Sequence, residues 1–481
     1  MFFFTVEGSL QKSSKLKLGT YSKSHRSAGR RDCQGSAKEK ARALRSLFAL
    51  AAFLGAGKTR MEIQVGESHH VEMVKVCALA LRAVACSVFL SMACLAPSCR
   101  DAAPQTSSQR PAAPAFPLRT SGKVIVDAHG QRVRLKAFNW YGAESPDGVV
   151  GGLAYQSLAT IVRELRGWGF NAVRLLWSNQ IVETNPVVNR QALAANPDLV
   201  GLRALDIFDR VVSTLAANQI MVILDNHVSD AIWCCSDTDG NGLWYSSRYA
   251  ESAWINDWQS VARRYAHQPY VVGADLRNEL RCEVVGGPSL CATWGGNPAT
   301  DWHAAAQRGG NAVLAANPNL LIFVEGTRYA TDLSGAAGLP VLLHSAGHVV
   351  YESHDYGFNY SSKPLDGYSD WVARITPRWG YLATGPNPQP LWLGEFGTCN
   401  TSDACVASAH NTDLGFWFQI ITQYVETNRL DWCYWPANGS YSHYPNARKA
   451  YGDTETYGIL DTTWNGPSLP SLLTGLEKIM P

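Results

Sequence analysis

From Leu118 to the C-terminus of this 481-residue chain, short apolar runs alternate with amphipathic helical stretches, and this alternation constrains the fold more than any other feature. The runs are Val133–Tyr141, Ala172–Trp177, Ile220–His227, Val271–Leu280, Leu320–Gly326, Val349–Tyr356, Leu391–Gly397 and Asp431–Trp435. Helical spacing appears between most of them, over Ser157–Trp168, Leu202–Ala217, Ala253–Ala266, Trp302–Ala316 and Leu414–Thr427. Strands that alternate with helices build parallel sheets. Eight such units predict an α/β fold of the (β/α)8 TIM-barrel type, one domain over 118–481, rather than an open doubly wound sheet. A hydrophobic share of 46% against 17% charged residues is enough to fill such a core. Neither an internal repeat nor a second linker interrupts 118–481, so no separate carbohydrate-binding module is expected.

The region upstream is different. In residues 1–72 Lys and Arg outnumber Asp and Glu without helical or strand periodicity, which reads as an unstructured leader or a mis-assigned start. Met73-Val-Lys-Val then opens a basic start, an apolar run from Val76 to about Ala96 and a stretch of small residues and Pro. Residues 73–100 therefore read as a secretory signal peptide, with translation beginning at Met73 and the product secreted to the outside or the periplasm. The competing readings are a membrane anchor over 76–98 or a lipid on Cys94 or Cys99; neither Cys has Leu three residues before it. Residues 101–117 are a Pro/Ala/Ser-rich linker. Gly55-Ala-Gly-Lys-Thr59 imitates the end of a phosphate loop, but the first Gly it needs is Ala52. The formal net charge of +2 gives no field for nucleic acid. No cofactor and no obligate protein partner are implied.

Seven cysteines follow the linker. Cys282/Cys291 and Cys399/Cys405 have spacings that close small disulfide loops in an oxidising compartment. Cys234 and Cys235 are left to compete for Cys433. Paired C-x2-C ligands are absent, so zinc is not expected. Asp237-x-Asp239-x-Asn241-Gly242 is half of a calcium loop, but position twelve is Arg248 and not Glu, so a tight polar turn is expected.

Several runs end in polar residues: Asn226-His227, Arg277-Asn278-Glu279, His354-Asp355-Tyr356 and Glu395-Phe396-Gly397. In a barrel such ends meet at one mouth. A carboxylate at the end of a buried strand is costly unless it has a partner or a task. One explanation of Glu279 and Glu395 is an ion pair with Arg174, Arg277 or Arg281. The other is cleavage of a glycosidic bond, which needs one protonated and one ionised carboxyl across the bond. The 16 Trp and 19 Tyr fit either core filling or stacking against sugar faces.

With these residues in place, nearly all of 118–481 resembles glycoside hydrolase family 5, the former cellulase family A. The family's eight active-site positions have matches in order: Arg174 in AVRLLW, His227 in ILDNH, Asn278 and Glu279 in LRNEL, His354 and Tyr356 in ESHDY, Glu395 in WLGEFG, and Trp435 in DWCYWPANG. The resemblance implies double displacement with retention, Glu279 being the acid/base and Glu395 the nucleophile. It further implies that Arg174 and Tyr356 hold Glu395, Asn278 meets the 2-hydroxyl, His227 and His354 bind or orient, and Trp435 forms a sugar platform. Asn139 and Trp140 are expected to line the same cleft. Glu279 is expected to keep its proton longer than Glu395, raised by partial burial and the nearby carboxylate. The segment Trp233–Trp244 resembles cellulase-like plant and microbial members. The implied substrate is a polysaccharide or oligosaccharide and the implied activity that of an endo-β-1,4-glucanase. The alternatives are a β-mannanase or another β-glycosidase of the family, and, from a different class, a non-catalytic carbohydrate-binding barrel.

Overall fold

The computed structural model describes residues 113–284, 289–441 and 452–481. The leader, the signal-peptide segment, the phosphate-loop lookalike and most of the linker lie outside the described residues. No helix among the described residues is long and apolar enough to cross a membrane.

The contacts of the domain include residues before Leu118. Ala115 accepts from Ala128 N–H at 2.8 Å, and Phe116 packs edge-on against Tyr270. A hairpin follows, β1 (Arg119–Ser121) with β2 (Val124–Val126). The barrel is built from β3 (Lys136–Trp140), β4 (Ala172–Ser178), β5 (Met221–Val228) and β6 (Val271–Asp275). After a two-residue hairpin, β7 (Cys282–Glu283) with β8 (Leu290–Cys291), come β9 (Leu321–Glu325), β10 (Val349–His354), β11 (Leu391–Phe396) and β12 (Asp431–Tyr434). The eight barrel strands close in sequence order, β12 pairing with β3, and every pairing is parallel. All eight apolar runs become strands. Parallel strands covered on both faces must be apolar almost throughout, and this makes them readable.

Among the described residues, the α-helices of six residues or more are α1 (Leu158–Gly167), α2 (Asn179–Thr184), α3 (Ala204–Ala217), α4 (Glu251–Arg264), α5 (Trp302–Ala316), α6 (Tyr368–Ile375), α7 (Leu414–Asn428) and α8 (Pro470–Glu477). Two of the long ones begin on a side-chain cap. In α1 the Ser157 side chain caps Thr160 N–H, and Leu158, Ile161, Val162 and Leu165 make one buried stripe. Asp301 caps α5 in the same way. The sequence did not announce α6, because Pro377 ends its regular ladder and the chain continues as a wide turn over Thr376–Gly380.

Two layers fill the barrel interior. Leu135, Met221, Phe323, Trp392 and Cys433 form the lower one, and Leu118 and Ile125 from the hairpin close it from below. Cys433 is enclosed there as a free thiol, so it does not compete for Cys234 or Cys235. Those two lie in the loop after β5, at the mouth, and pair with each other. Cys282–Cys291 and Cys399–Cys405 pair as their spacing suggests. The C-terminus returns to the floor: Trp432 Nε1 donates to Ile479 O at 3.2 Å, and Arg134 donates to Pro481 O.

Candidate functional site

Alternate residues of a strand point to opposite sides. At the upper ends of the barrel strands, this rule brings Asn139, Arg174, Asp225, Asp275, Glu325 and Glu352 into the interior, with His227 and His354 one step further up, and Glu395 joins them where the register of β11 shifts after Leu393. Arg174 has no exposed side-chain surface and lies 3.1 Å from Asp225, 2.6 Å from Asp275, 2.9 Å from Glu325, 3.5 Å from Glu352 and 2.8 Å from Glu395. Its guanidinium also donates to Asn139 Oδ1 at 3.2 Å and Asn278 Oδ1 at 2.9 Å. A planar fork with five donors is suited to such a hub.

Glu395 is held from both oxygens. Oε1 accepts from Arg174 Nη1, and Oε2 accepts from the Tyr356 hydroxyl at 2.9 Å. Gly394 precedes it for a steric reason: a Cβ there would run into the Glu352 carboxylate. Glu279 lies just beyond β6 with φ +43°, a left-handed conformation unusual for a non-glycine residue. Its N–H donates to Glu325 Oε2 at 2.6 Å, which holds that conformation. Its Oε1 lies 3.2 Å from His354 Nδ1. A carboxyl oxygen of Glu279, a carboxyl oxygen of Glu395 and a ring nitrogen of His354 all lie within 4.8 Å of one another. Glu279 keeps 15% of its side chain exposed and Glu395 keeps 6%, so both carboxyls reach the cleft. His227 Nδ1 lies 2.7 Å from Asp225 Oδ2. The half-buried Trp435 is nearly parallel to His227 and to Tyr141, with ring centroids 5.8 Å and 5.6 Å away.

Three assignments change. Trp140 does not line the cleft. As the neighbour of inward-facing Asn139 it must face outward, and it is fully buried with Nε1 donating to Gly151 O at 3.0 Å. Asn139 lies beneath the cleft, where it accepts from Arg174, so it presents no substrate-binding surface; Arg174 is buried there too, in the role of holding Glu395. The proton order of the two glutamates is also reversed. Burial pushes the Glu279 carboxyl up, but the hydrogen bond and charge of His354, with Arg281 and His227, outweigh it and leave Glu279 below the ordinary carboxylate range. Burial pushes Glu395 up, and His354 and Arg174 offset this only partly with Glu279 adjacent. Burial alone would lower His354, yet Glu325, Glu395, Glu279 and Glu352 surround it and hold it cationic well above its usual range. The His354–Glu279 contact can thus hold a proton between imidazole and carboxyl.

The buried acids Asp225, Asp275, Glu325 and Glu352 were not singled out in the sequence. The signal was there: Asp225/His227 and Glu352/His354 are i, i+2 pairs inside apolar runs. The Asp237–Gly242 segment is a polar turn, with Asp239 bound by Arg281 at 2.7 Å and by Ser236 N–H at 2.8 Å.

These acids predict how stability varies with pH. Burial pushes Asp225, Asp275 and Glu352 up to about 7, Asp355 to about 7 and Glu144 to about 8. Between about pH 4 and 8 the folded state then binds more protons than the unfolded chain, and stability falls as pH rises through that window. His227, lowered to about 3 by burial and Arg174, and His348, lowered by burial, act oppositely below their ordinary range, but Glu325, Asp257 and His354, all raised, add to the larger set. The Tm at pH 5 should exceed that at pH 8 by more than about 3 °C at matched ionic strength. Calorimetry showing a flat or rising Tm would contradict this account.

Residues 126–440 match the family described as Cellulase (glycosyl hydrolase family 5). An endoglucanase of Paenibacillus polymyxa is 35% identical over 369 residues, covering 72% of this chain and 84% of that protein. The major extracellular endoglucanase of Xanthomonas campestris pv. campestris is 39% identical over 308 residues, and the chain spans 59% of its length. Among solved structures, a hyperthermophilic endocellulase from Pyrococcus horikoshii superposes with a TM-score of 0.64 at 27% identity, covering 76% of this chain and 99% of that one. Variants of the Pyrococcus enzyme with Glu replaced by Ala, or Tyr by Phe, have been crystallised with cellotetraose. The closed parallel barrel and the order of the mouth residues agree with these likenesses, and the chain belongs to glycosyl hydrolase family 5.

Proposed function

We propose that the protein is an exported endo-β-1,4-glucanase that cleaves its polysaccharide by double displacement, with Glu395 as nucleophile and Glu279 as acid/base. The observation that carries this reading is the approach of Glu279 and Glu395 oxygens to within 4.8 Å. Retaining glycosidases place their carboxyls about 5–5.5 Å apart, whereas inverting ones leave about 6.5–9.5 Å for a water. Glu395 attacks the anomeric carbon, and Arg174 and Tyr356 keep its oxygens ionised and aimed. The leaving oxygen takes the proton stored on His354–Glu279, passed along the 3.2 Å contact. As Glu395 becomes an ester, its charge no longer supports the imidazolium, and Glu279 then takes the proton of the attacking water. Asn278, with Oδ1 fixed by Arg174, offers its Nδ2 to the 2-hydroxyl. The names of the Paenibacillus and Xanthomonas relatives and the cellotetraose complexes support a β-1,4-glucan. The word extracellular in the Xanthomonas name supports export.

A hydrolysis screen over carboxymethyl-cellulose, lichenan, mannan, xylan and glycolipid tests the substrate. The expected result is fastest cleavage of the first two, with a steep early fall in viscosity. Preference for mannan would replace the substrate, and inactivity on all would return the barrel to a binding role. Proton NMR of the first product should show the β-anomer, and an initial α-anomer would defeat the mechanism.

Trp435→Ala should lower kcat/KM on cello-oligosaccharides about ten-fold or more, since a sugar loses its apolar platform, while the Tm changes little. Unchanged kinetics would make this ring part of the wall between His227 and Tyr141.

A further inference from the structure

The loop between β5 and α4 carries Trp233, Cys234 and Cys235, which the mechanism above does not use. The two cysteines are bonded to each other. Their Sγ atoms lie 3.5 Å and 3.6 Å from Asn278 Nδ2, and an oxygen of Glu279 lies within 4.8 Å of both. Both residues are only half-buried. We propose that the Cys234–Cys235 disulfide is a substrate-contacting wall of the cleft, lying against the sugar that Asn278 and Glu279 hold, and that its reduction lowers turnover. The inference rests on the glycan-cleaving function proposed above.

The direction of the Asn278 amide carries the argument. Its Oδ1 is taken by Arg174 at 2.9 Å, so Nδ2 must face the cleft. There its neighbours are the two sulfurs and His227 Nε2 at 3.5 Å. Sulfur is a weak acceptor. The sulfurs therefore shield the amide from water without consuming its hydrogens, and a hydroxyl that accepts from Nδ2 must lie against them. The same wall continues into aromatic rings. Trp233 is edge-on to Tyr141 at 5.0 Å and meets Tyr441 at 5.8 Å, and Tyr141 stacks near Trp435.

The loop behind the pair is pinned. Arg281 binds Asp239 and Ser236 O, Tyr329 donates to Asp237, and Asn241 Oδ1 accepts from Ser229 and Asp230 N–H. Reduction thus acts mainly on the two side chains. A dithiol reductant supplies two electrons and two protons: the S–S bond becomes two S–H groups, and the reductant closes to its own disulfide. The freed thiols rotate independently and place new donors beside Asn278 and Glu279.

The test uses the full chain, titrated with dithiothreitol, with kcat and KM followed on a cello-oligosaccharide and reduced cysteines mapped by alkylation and mass spectrometry. The Cys234→Ala/Cys235→Ala variant is run in parallel, with its Tm measured. In the wild type kcat/KM should fall at least about five-fold as Cys234 and Cys235 become alkylatable, and recover with oxidised glutathione. The double variant should start lowered and ignore the reductant. It keeps Cys282–Cys291 and Cys399–Cys405, so an equal response in it would assign the effect to those bonds and overturn the proposal. Full activity in the double variant, or alkylation of Cys234 or Cys235 before reduction, would also overturn it. If the variant does not fold, the wild-type course decides: activity must track alkylation of this pair. A wild type that cleaves no β-glucan overturns the functional reading and this inference with it, whereas an active wild type indifferent to the pair overturns the inference alone.

Discussion

Glu395→Gln is expected to lower turnover of soluble β-1,4-glucan about ten-thousand-fold or more, the scale seen when a nucleophile is removed from a site whose parts act as a unit. The amide cannot form the glycosyl ester, yet it occupies the same volume. The fold should survive, because Arg174 keeps four other carboxylates around it and Tyr356 can still donate to the amide oxygen. The companion change separates the two roles. Glu279→Ala should be nearly inactive on glucan, whose leaving oxygen needs a proton, but should still form the glycosyl-enzyme from an activated aryl glycoside. Azide needs no general base, so adding it should speed release and give a β-glycosyl azide. Turnover by Glu395→Gln near the wild-type rate, or an α-azide from Glu279→Ala, would sink the assignment.

The second large effect is structural. Arg174→Met should leave five acidic side chains in the barrel interior without the guanidinium, with His354 still beside Glu325, Glu352 and Glu395. Removing one partner of a buried ion pair costs about 3–5 kcal/mol, and here one cation serves several anions. Against a total stability of about 5–15 kcal/mol, the variant should be largely unfolded at pH 7.5. Acid should rescue it partly, because protonating Asp225, Asp275 and Glu352 removes the repulsion. Circular dichroism at pH 5 and 7.5 checks both statements. Arg174→Lys should lie between, keeping the charge but losing the fork. A wild-type Tm for Arg174→Met at pH 7.5 would show that the acids are neutral without it.

The strands were legible because burial on both faces writes an apolar run that nothing else in the chain imitates. Glu279 and Glu395 were legible because a charge closing such a run needs an explanation. The layer beneath them was not. Asp275 or Glu325 read singly says nothing about what it faces, since its partner Arg174 stands more than one hundred residues away, and only closure of the barrel brings them together. The low pKa of Glu279 was hidden for the same reason, as it depends on a His from another strand. Trp140 was a different failure. Alternation along the strand already required that it and Asn139 could not both face the cleft. The pairing of Cys234 with Cys235 ran against the expectation that a partner lies across the fold.

The floor of the barrel has a practical meaning. Ala115 is held by Ala128 and Pro481 by Arg134, so the domain enters and leaves beside the same short stretch, at the end opposite the mouth. Anything joined to either terminus, whether a binding module, an affinity handle or a solid support, would stand behind the enzyme and leave the groove open to an incoming polymer. The proximity of the two ends to that stretch also makes this barrel a natural candidate for circular permutation, with new termini cut into an exposed helix-side loop.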